Sequence, residues 1–149
     1  MPIAVGTEAP DFEVMTSTGE LFRLSDLRGQ VRAMLVFYPK DFTPGCTDQL
    51  VEVRNNVEHI REIATEPVGV NPGDAETHER FRAEYELPFD LLVDEDSRIA
   101  EAYDSLKPDG TGILRSVVVV GKNGKVIFSS PGAPAWQLVY NAIRDSDDN

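Results

Sequence analysis

The sequence predicts an α/β fold in which helices flank a central mixed β-sheet. Apolar segments of strand length alternate along the chain with segments of helical periodicity, which is the pattern of a layered α/β domain. One clear hairpin late in the chain adds antiparallel strands to that sheet. The 149 residues suit one domain, residues 1–149, and we find no internal repeat, linker or low-complexity segment that would divide it.

The first half of the chain is predicted to contain a hairpin, a buried strand and a long helix. Two short apolar segments, DFEVM (11–15) and LFRL (21–24), flank a turn, and Ser25 is expected to cap one helical turn after them. The segment VRAMLVFYP (31–39) is almost continuously apolar, as expected for a central strand covered on both faces. From Cys46 onward, apolar residues recur at steps of three and four, which predicts one long amphipathic helix.

The second half is predicted to repeat the alternation of strand and helix. PVGVN (67–71) is a second buried strand, and Asp74 begins a helix that stops before Pro88. The remaining elements are a strand at FDLLVD (89–94), a short helix at SRIAEAY (97–103), a hairpin with its turn at 122–124, a helix at PAWQLVYNAIRD (134–145) and a fraying tail, SDDN (146–149).

Composition and charge disfavour several classes of partner. The formal net charge of −12 disfavours nucleic acid, because affinity for phosphate backbones comes from clustered Lys and Arg. No stretch approaches the roughly 20 apolar residues that span a bilayer, and the first residues lack a secretory signal pattern. A single cysteine cannot form an internal disulfide. We therefore expect a cytoplasmic protein with neither a membrane nor a nucleic-acid partner.

The only cysteine, Cys46, occupies a position that favours an anion. It follows the buried strand 31–39 through the polar loop KDFTPG and lies in the first turn of the predicted helix. The unpaired amides and partial positive charge of a helix N-terminus stabilise a thiolate, and α/β proteins place their sites at the carboxyl ends of strands. The alternative is a small buried hydrophobic residue, which is the commoner fate of an isolated cysteine.

Spacing disfavours three familiar cysteine chemistries. Dithiol exchange needs a Cys-x-x-Cys pair, and the first position of that pattern is Thr43. A cysteine phosphatase would need an arginine soon after the nucleophile, but the nearest downstream one is Arg54. A cysteine protease needs a histidine base. His59 lies several turns along the same helix and is predicted to be solvated, and His78 is predicted to be a helix-surface or packing residue. The remaining hypothesis is a single thiolate that attacks a small electrophile.

The segment PKDFTPGC (39–46) fits the Pro-x-x-x-Thr-x-x-Cys motif of peroxiredoxins. Its surroundings, LVFYPKDFTPGCTDQ (35–49), resemble the bacterioferritin comigratory protein (PrxQ) subfamily. The resemblance continues in APDFEV (9–14), in the segment 69–96 and in GILRSVVVVGKNGKV (112–126), so it covers nearly the whole chain. It implies a thioredoxin-like fold of peroxiredoxin type and a thiol peroxidase, with no cofactor and no metal.

The resemblance also implies roles for individual residues. Cys46 would be the peroxidatic nucleophile, and Thr43 would hydrogen-bond both its thiolate and the incoming peroxide. Pro39 would shield the pocket from water, and Arg115, in GILRSVVVV, matches the active-site arginine of the family. Because charge moves onto the departing oxygen as the O–O bond breaks, the backbone amides of Gly45 and Cys46 are further candidates to stabilise it.

Two further positions bear on the comparison with the subfamily that the sequence resembles. Arg54 matches a second arginine that the subfamily often carries and is a candidate substrate-binding residue; the alternative is a surface ion pair with Glu58. In the subfamily that the sequence resembles, the resolving cysteine usually lies five residues after the first, and Val51 stands at that position here. We therefore expect a one-Cys mechanism in which thioredoxin, glutaredoxin or a low-molecular-weight thiol reduces Cys46. The alternatives are a non-enzymatic redox sensor and an inert structural module, and the chain is expected to be a monomer or homodimer.

Overall fold

The computed structural model describes residues 1–148. Seven strands are Glu13–Met15 (β1), Leu21–Arg23 (β2), Arg32–Phe37 (β3), Thr65–Asn71 (β4), Leu91–Val93 (β5), Ser116–Val120 (β6) and Val126–Pro131 (β7). Five α-helices are Pro44–Asn55 (α1), Val57–Glu62 (α2), Ala75–Glu84 (α3), Arg98–Ala102 (α4) and Trp136–Arg144 (α5), and two short 3₁₀ turns cover Leu24–Leu27 and Glu95–Ser97.

Strand β3 is the centre of a five-stranded mixed sheet with the order β5-β4-β3-β6-β7. It pairs in parallel with β4 and antiparallel with β6, and β6 and β7 form the late hairpin. Strands β1 and β2 form a separate antiparallel hairpin before the sheet. The predicted fold class, a mixed sheet flanked by helices with an N-terminal hairpin, is confirmed.

Side chains of β3 alternate between two hydrophobic cores, because successive residues of a strand point to opposite faces. Leu35 and Phe37 belong to the core on one face. Met34 and Val36 belong to the core on the other face, which also contains Cys46. This second core is covered by apolar residues of α1, α3 and α5: Leu50, Val53, Phe81, Val139 and Ile143. Burial on both faces explains why β3 is almost continuously apolar.

Two local expectations for the first half are wrong. The long helix after Cys46 is two helices, α1 and α2, that meet at Asn56, whose backbone φ of −107° and ψ of 5° are not helical. The Asn56 side chain donates to the carbonyl of Glu52, and such local bonds compete with helix continuation. Ser25 does not cap the 3₁₀ turn, since the residue at its N-cap is Arg23 and no side chain bonds there.

The C-terminal tail is anchored rather than frayed as far as it is described. The Asp148 carboxylate accepts from Arg32 Nε at 2.7 Å and from the Lys122 amide at 2.9 Å, and the residue is 1% exposed. Burial raises the pKa of Asp148, but these hydrogen bonds and the Arg32 charge lower it below its usual value overall. The last residue of the SDDN segment, 149, lies outside the described residues. Within residues 1–148, no helix is long and apolar enough to cross a membrane.

Candidate active site

The loop between β3 and α1 places Cys46 in the first turn of a helix. Thr43 is the N-cap of α1, with extended backbone angles, and Pro44 is the first helical residue. Proline lacks an N–H group and is favoured at this position. The amides of Gly45 and Cys46 have no acceptor within the helix by its geometry, and the Thr47 amide is bonded to the Thr43 carbonyl at 2.8 Å. The first turn of the helix that carries the sulfur thus has two N–H groups without an acceptor in the helix.

Arg115 lies against the sulfur. Its Nη2 donates to Cys46 Sγ at 3.2 Å, and its Nη1 donates to Gln49 Oε1 at 2.6 Å and to the Gly45 carbonyl at 3.3 Å. The antiparallel register explains this position, because Ser116 is the partner of Phe37 and Arg115 precedes it directly. A Cβ atom at Gly45 would lie 3.3 Å from Arg115 Nη2. The sequence thus keeps glycine where the guanidinium packs closely on the helix.

The other predicted residues of the motif lie in the same loop but make different contacts. The Thr43 hydroxyl donates to the Lys40 carbonyl at 2.8 Å. A hydroxyl has one hydrogen to donate. In this conformation Thr43 therefore does not make the expected donation to the sulfur. Pro39 is half-buried, and its carbonyl accepts from Asn71 Nδ2 at 2.9 Å. The catalytic roles of Thr43 and Pro39 stay predictions.

Arg54 contacts neither the sulfur nor Glu58. Its Nη1 donates to the Tyr85 carbonyl at 2.8 Å, and its Nε and Nη2 donate to the Asn55 side chain. Arg54 thereby ties the end of α1 to the residue that follows α3. Its position is eight residues, or about 12 Å of helix axis, beyond Cys46. A role in binding substrate stays a prediction.

A buried polar network behind the loop was missed by the sequence analysis. His78 of α3 is 0% exposed, and its Nδ1 lies 2.5 Å from Asp41 Oδ2. Asp41 Oδ1 also accepts from the Tyr38 hydroxyl at 2.6 Å. The other histidine, His59, is exposed as predicted, with a side chain 69% accessible beside Glu62. Nothing in the sequence pattern pairs residues 41 and 78. A place for Gln49 near the site could have been predicted from the sequence, because Gln49 lies about one helical turn after Cys46.

An apolar cavity of about 250 Å³ lies between α1 and the start of α5. Its lining includes Met34, Val53, Val117 and Trp136. Gln49 also lines it, and Gln49 Nε2 is a buried donor without a partner among the described residues. The same side chain bonds Arg115 through its oxygen, so this cavity lies next to the group that holds the sulfur.

Comparison with known proteins gives the family of this chain. The model of the AhpC/TSA family matches residues 5–129. The chain is 39% identical to peroxiredoxin Bcp of Bacillus subtilis over 133 residues, which cover 85% of this chain and 84% of the relative. It is 38% identical to the putative peroxiredoxin bcp of Coxiella burnetii over 132 residues, which cover 85% and 87%. The chain belongs to the AhpC/TSA family of peroxiredoxins.

Solved structures show the same fold for this peroxiredoxin. A mutant of PrxQ from Xylella fastidiosa aligns with a TM-score of 0.86 and 24% identity, covering 95% of this chain and 96% of that one. Peroxidoxin BcpB from Mycobacterium tuberculosis aligns with a TM-score of 0.84 and 23% identity, covering 95% of both chains. The thioredoxin-like fold of peroxiredoxin type and the resemblance to the PrxQ subfamily are confirmed, and with them the class of enzyme, a thiol peroxidase.

Proposed function

We propose that this peroxiredoxin reduces hydrogen peroxide and organic hydroperoxides through a thiolate at Cys46. The observation that carries the proposal is the contact of 3.2 Å between Arg115 Nη2 and Cys46 Sγ at the N-terminus of α1. The thiolate attacks one peroxide oxygen and the O–O bond breaks. That oxygen stays on sulfur as a sulfenic acid, and the other leaves, with a proton, as water or an alcohol.

Stabilising the thiolate cannot by itself make a fast peroxidase. For a generic thiol, lowering the pKa from about 8.5 to about 6 raises the thiolate fraction at neutral pH about 30-fold. Nucleophilicity falls about 13-fold over the same shift, so the net gain is about twofold. The site must therefore stabilise charge on the departing oxygen. We propose Arg115 and the amides of Gly45 and Cys46 as the donors for this. Thr43 Oγ1, whose hydrogen goes to the Lys40 carbonyl, would accept from the peroxide hydroxyl, and Pro39 would limit water.

Recycling would follow a one-Cys mechanism. The 149 residues contain one cysteine, and Val51 occupies the position of the resolving cysteine that the sequence resemblance implies. An external thiol attacks the sulfenic acid, releases water and leaves a mixed disulfide, which a second thiol reduces. Thioredoxin, glutaredoxin and low-molecular-weight thiols are the candidate reductants. A cytoplasmic location and a monomeric or homodimeric state stay predictions from the sequence.

The cavity beside Gln49 supports organic hydroperoxides as substrates in addition to hydrogen peroxide. It is lined mainly by apolar side chains, and burying a methylene group contributes about 0.8 kcal/mol. The unpartnered Gln49 Nε2 is available to donate to a polar atom of such a substrate. Cys46 itself does not line the cavity, so hydrogen peroxide bound at the sulfur would not fill it, and the two substrate classes should respond differently to changes there.

The experiment that tests the proposal is steady-state peroxide consumption by the wild type and by Cys46→Ser with a panel of reductants. The panel contains thioredoxin with its reductase, glutaredoxin with glutathione, and small thiols alone. We expect catalytic turnover in the wild type with at least one reductant and none in Cys46→Ser. Consumption of one equivalent of peroxide with every reductant would instead favour the redox sensor. Turnover by Cys46→Ser would contradict the proposed nucleophile.

A further inference from the structure

His78 connects α3 to the loop that carries the active site, although it contacts no reacting atom. Its imidazole is fully buried between Asp41, in that loop, and the backbone of Asn71 at the end of β4. A buried charged or polar pair is costly unless its members are fully hydrogen-bonded. The hydrogen bonds of His78 offset the cost of burying its pair with Asp41, and these bonds join α3 to the active-site loop.

The partners of the imidazole determine its protonation. Nε2 lies 3.1 Å from the Asn71 carbonyl, which only accepts, so Nε2 carries a hydrogen. Nδ1 faces Asp41, whose other oxygen accepts from Tyr38. Where Nδ1 donates to that carboxylate, both ring nitrogens carry a hydrogen and His78 is an imidazolium. Burial lowers the pKa of His78, but the hydrogen bond and charge of Asp41 outweigh burial and raise it overall.

The other charged groups near His78 favour the same state. Asp74 at the N-cap of α3 and Glu79 beside His78 are both acidic, and His78 contributes to lowering the pKa of each carboxyl group. From β3 the neighbouring titratable group is Tyr38, whose pKa is raised well above its usual value, first by burial and then by Asp41. The negative charges of these carboxyl groups favour the protonated form of His78.

Two sets of hydrogen bonds extend from His78 to the loop. Through Asp41 it reaches the Tyr38 hydroxyl, at 2.6 Å. Through Asn71 it reaches the backbone, because Asn71 Nδ2 donates to the carbonyls of Tyr38 at 2.7 Å and Pro39 at 2.9 Å. Asn71 Oδ1 accepts from the backbone N–H of Gly73, which fixes the orientation of the Asn71 side-chain amide. The segment from residue 38 to residue 41 is thus fixed at both ends.

The residue after this segment explains why such fixing is needed. Phe42 has a φ of 66°, in the left-handed region, which is strained for a bulky residue. Its ring packs on Phe81 of α3 at 5.1 Å between centroids and on Tyr85 at 6.4 Å. Thr43, the N-cap of α1, follows directly. A strained residue next to the reactive turn persists only where surrounding contacts over-determine the backbone.

We propose that His78 is a positioning residue for peroxide reduction, which acts through Asp41 and Asn71 to hold the segment 38–43 against Cys46. The inference rests on the proposed function, since it assumes that Cys46 reacts with peroxide. Its consequence is specific to one half-reaction. Attack on peroxide requires the loop and the first turn of α1 in place, whereas reduction of the sulfenic acid by an external thiol does not benefit from a closed loop, because Cys46 is 1% exposed.

The test measures the two half-reactions separately in two variants. His78→Phe keeps the ring but removes both hydrogen bonds. Asn71→Ser keeps the pair between His78 and Asp41 but removes the two bonds to the loop carbonyls. Oxidation is followed by rapid mixing with hydrogen peroxide, quenching with an alkylating reagent and intact mass. Reduction is followed by adding dithiothreitol to the preformed sulfenic acid. His59→Phe, at the exposed histidine, is the matched control.

We expect oxidation of Cys46 to slow by about 10- to 100-fold in both variants, since a misplacement of about 1 Å at a reacting centre can cost that much. Reduction by dithiothreitol should be unchanged or faster, and His59→Phe should match the wild type in both half-reactions.

An oxidation rate within twofold of wild type in a folded variant overturns the proposal. An equal slowing of both half-reactions also overturns it, because general damage would then explain the loss. If His78→Phe does not fold, Asp41→Asn, which removes the charged partner of His78 in the loop, decides by the same criteria. A wild type that forms no sulfenic acid would refute the proposed function instead.

Discussion

Replacing Arg115 separates two things that a cation beside a sulfur can do. It can favour the thiolate in the resting enzyme, or it can stabilise the charge that moves onto the leaving oxygen. At 3.2 Å from the sulfur, a full unit charge would interact by about 5 kcal/mol at an effective dielectric constant of about 20, as an upper bound. Removing one donor of an oxyanion site typically costs about 2.7–4 kcal/mol, or a factor of about 10² to 10³ in rate.

We expect Arg115→Met to lower the second-order rate constant of Cys46 with hydrogen peroxide by about 100- to 1000-fold at pH 7. Arg115→Lys should lose less but not recover wild-type rates, because an ammonium cannot bond the sulfur and Gln49 together as the guanidinium fork does. Arg144→Met, which removes an exposed arginine beside Asp145, is the matched control and should leave the rate unchanged.

The decisive measurement is the same rate constant as a function of pH, followed by rapid mixing up to the pH at which Cys46 is ionised in every variant. If the arginine stabilises the transition state, the deficit of Arg115→Met persists on the alkaline plateau. If the variant reaches the wild-type rate there, Arg115 serves only to ionise the thiol. That result would refute the reasoning that ionisation contributes about twofold and the donors contribute the rest.

Three further predictions follow from the cysteine, the cavity and the tail. Treatment with increasing hydrogen peroxide in the absence of thiol should readily convert Cys46 to sulfinic acid, because no second cysteine competes for the sulfenic acid. Intact mass should show a gain of two oxygens, and an unmodified thiol at high peroxide would contradict this prediction. Val53→Phe, which fills the cavity, should lower the rate with cumene hydroperoxide several-fold more than the rate with hydrogen peroxide, and equal effects would exclude the cavity as a substrate site. The lowered pKa of Asp148 contributes stability that is present above its unfolded pKa and is lost as the pH falls through its folded pKa. Asp148→Asn should therefore cost roughly 1.5–3 kcal/mol of unfolding free energy at pH 7 and less in acid, as measured by urea titration. A loss that is independent of pH would show that the charge of Asp148 does not contribute to stability.

The sequence predicts most of this fold because its elements have strong local signals. The apolar run of β3, the hairpin turn at 122–124 and the periodicity after Cys46 depend on residues close together in the chain. The break at Asn56 and the anchoring of Asp148 by Arg32 were missed. The first depends on one side chain that bonds back to its own helix, and the second joins residues 116 positions apart. Neither leaves a periodic pattern.

The candidate site shows the same division. The position of Cys46 at a helix N-terminus is a local property, and the sequence predicts it. The contact with Arg115 was expected only through the family resemblance, because the register that produces it joins strands far apart in the chain. The hydroxyl of Thr43 bonds Lys40, and the pair of Asp41 and His78 was not expected at all. These contacts depend on how side chains satisfy buried partners, which the spacing of residues does not specify.

The mixed pairing of β3 explains why these groups converge on one place. Phe37 pairs with Val70 on one side and with Ser116 on the other. The parallel neighbour β4 therefore delivers the residue after Val70, Asn71, to the end of β3 where the active-site loop begins. The antiparallel neighbour β6 starts at that same end and delivers Arg115.

A sheet with two parallel neighbours of β3 would bring two carboxyl ends to the loop and no strand start. In this fold, the carboxyl end of β4 supplies the amide that fixes the loop, and the start of β6 supplies the cation that contacts the sulfur. A slip of one residue in either pairing would turn the side chains of that strand to the opposite face. The register of β3 with both neighbours is therefore the feature of the fold on which the geometry of Cys46 most directly depends.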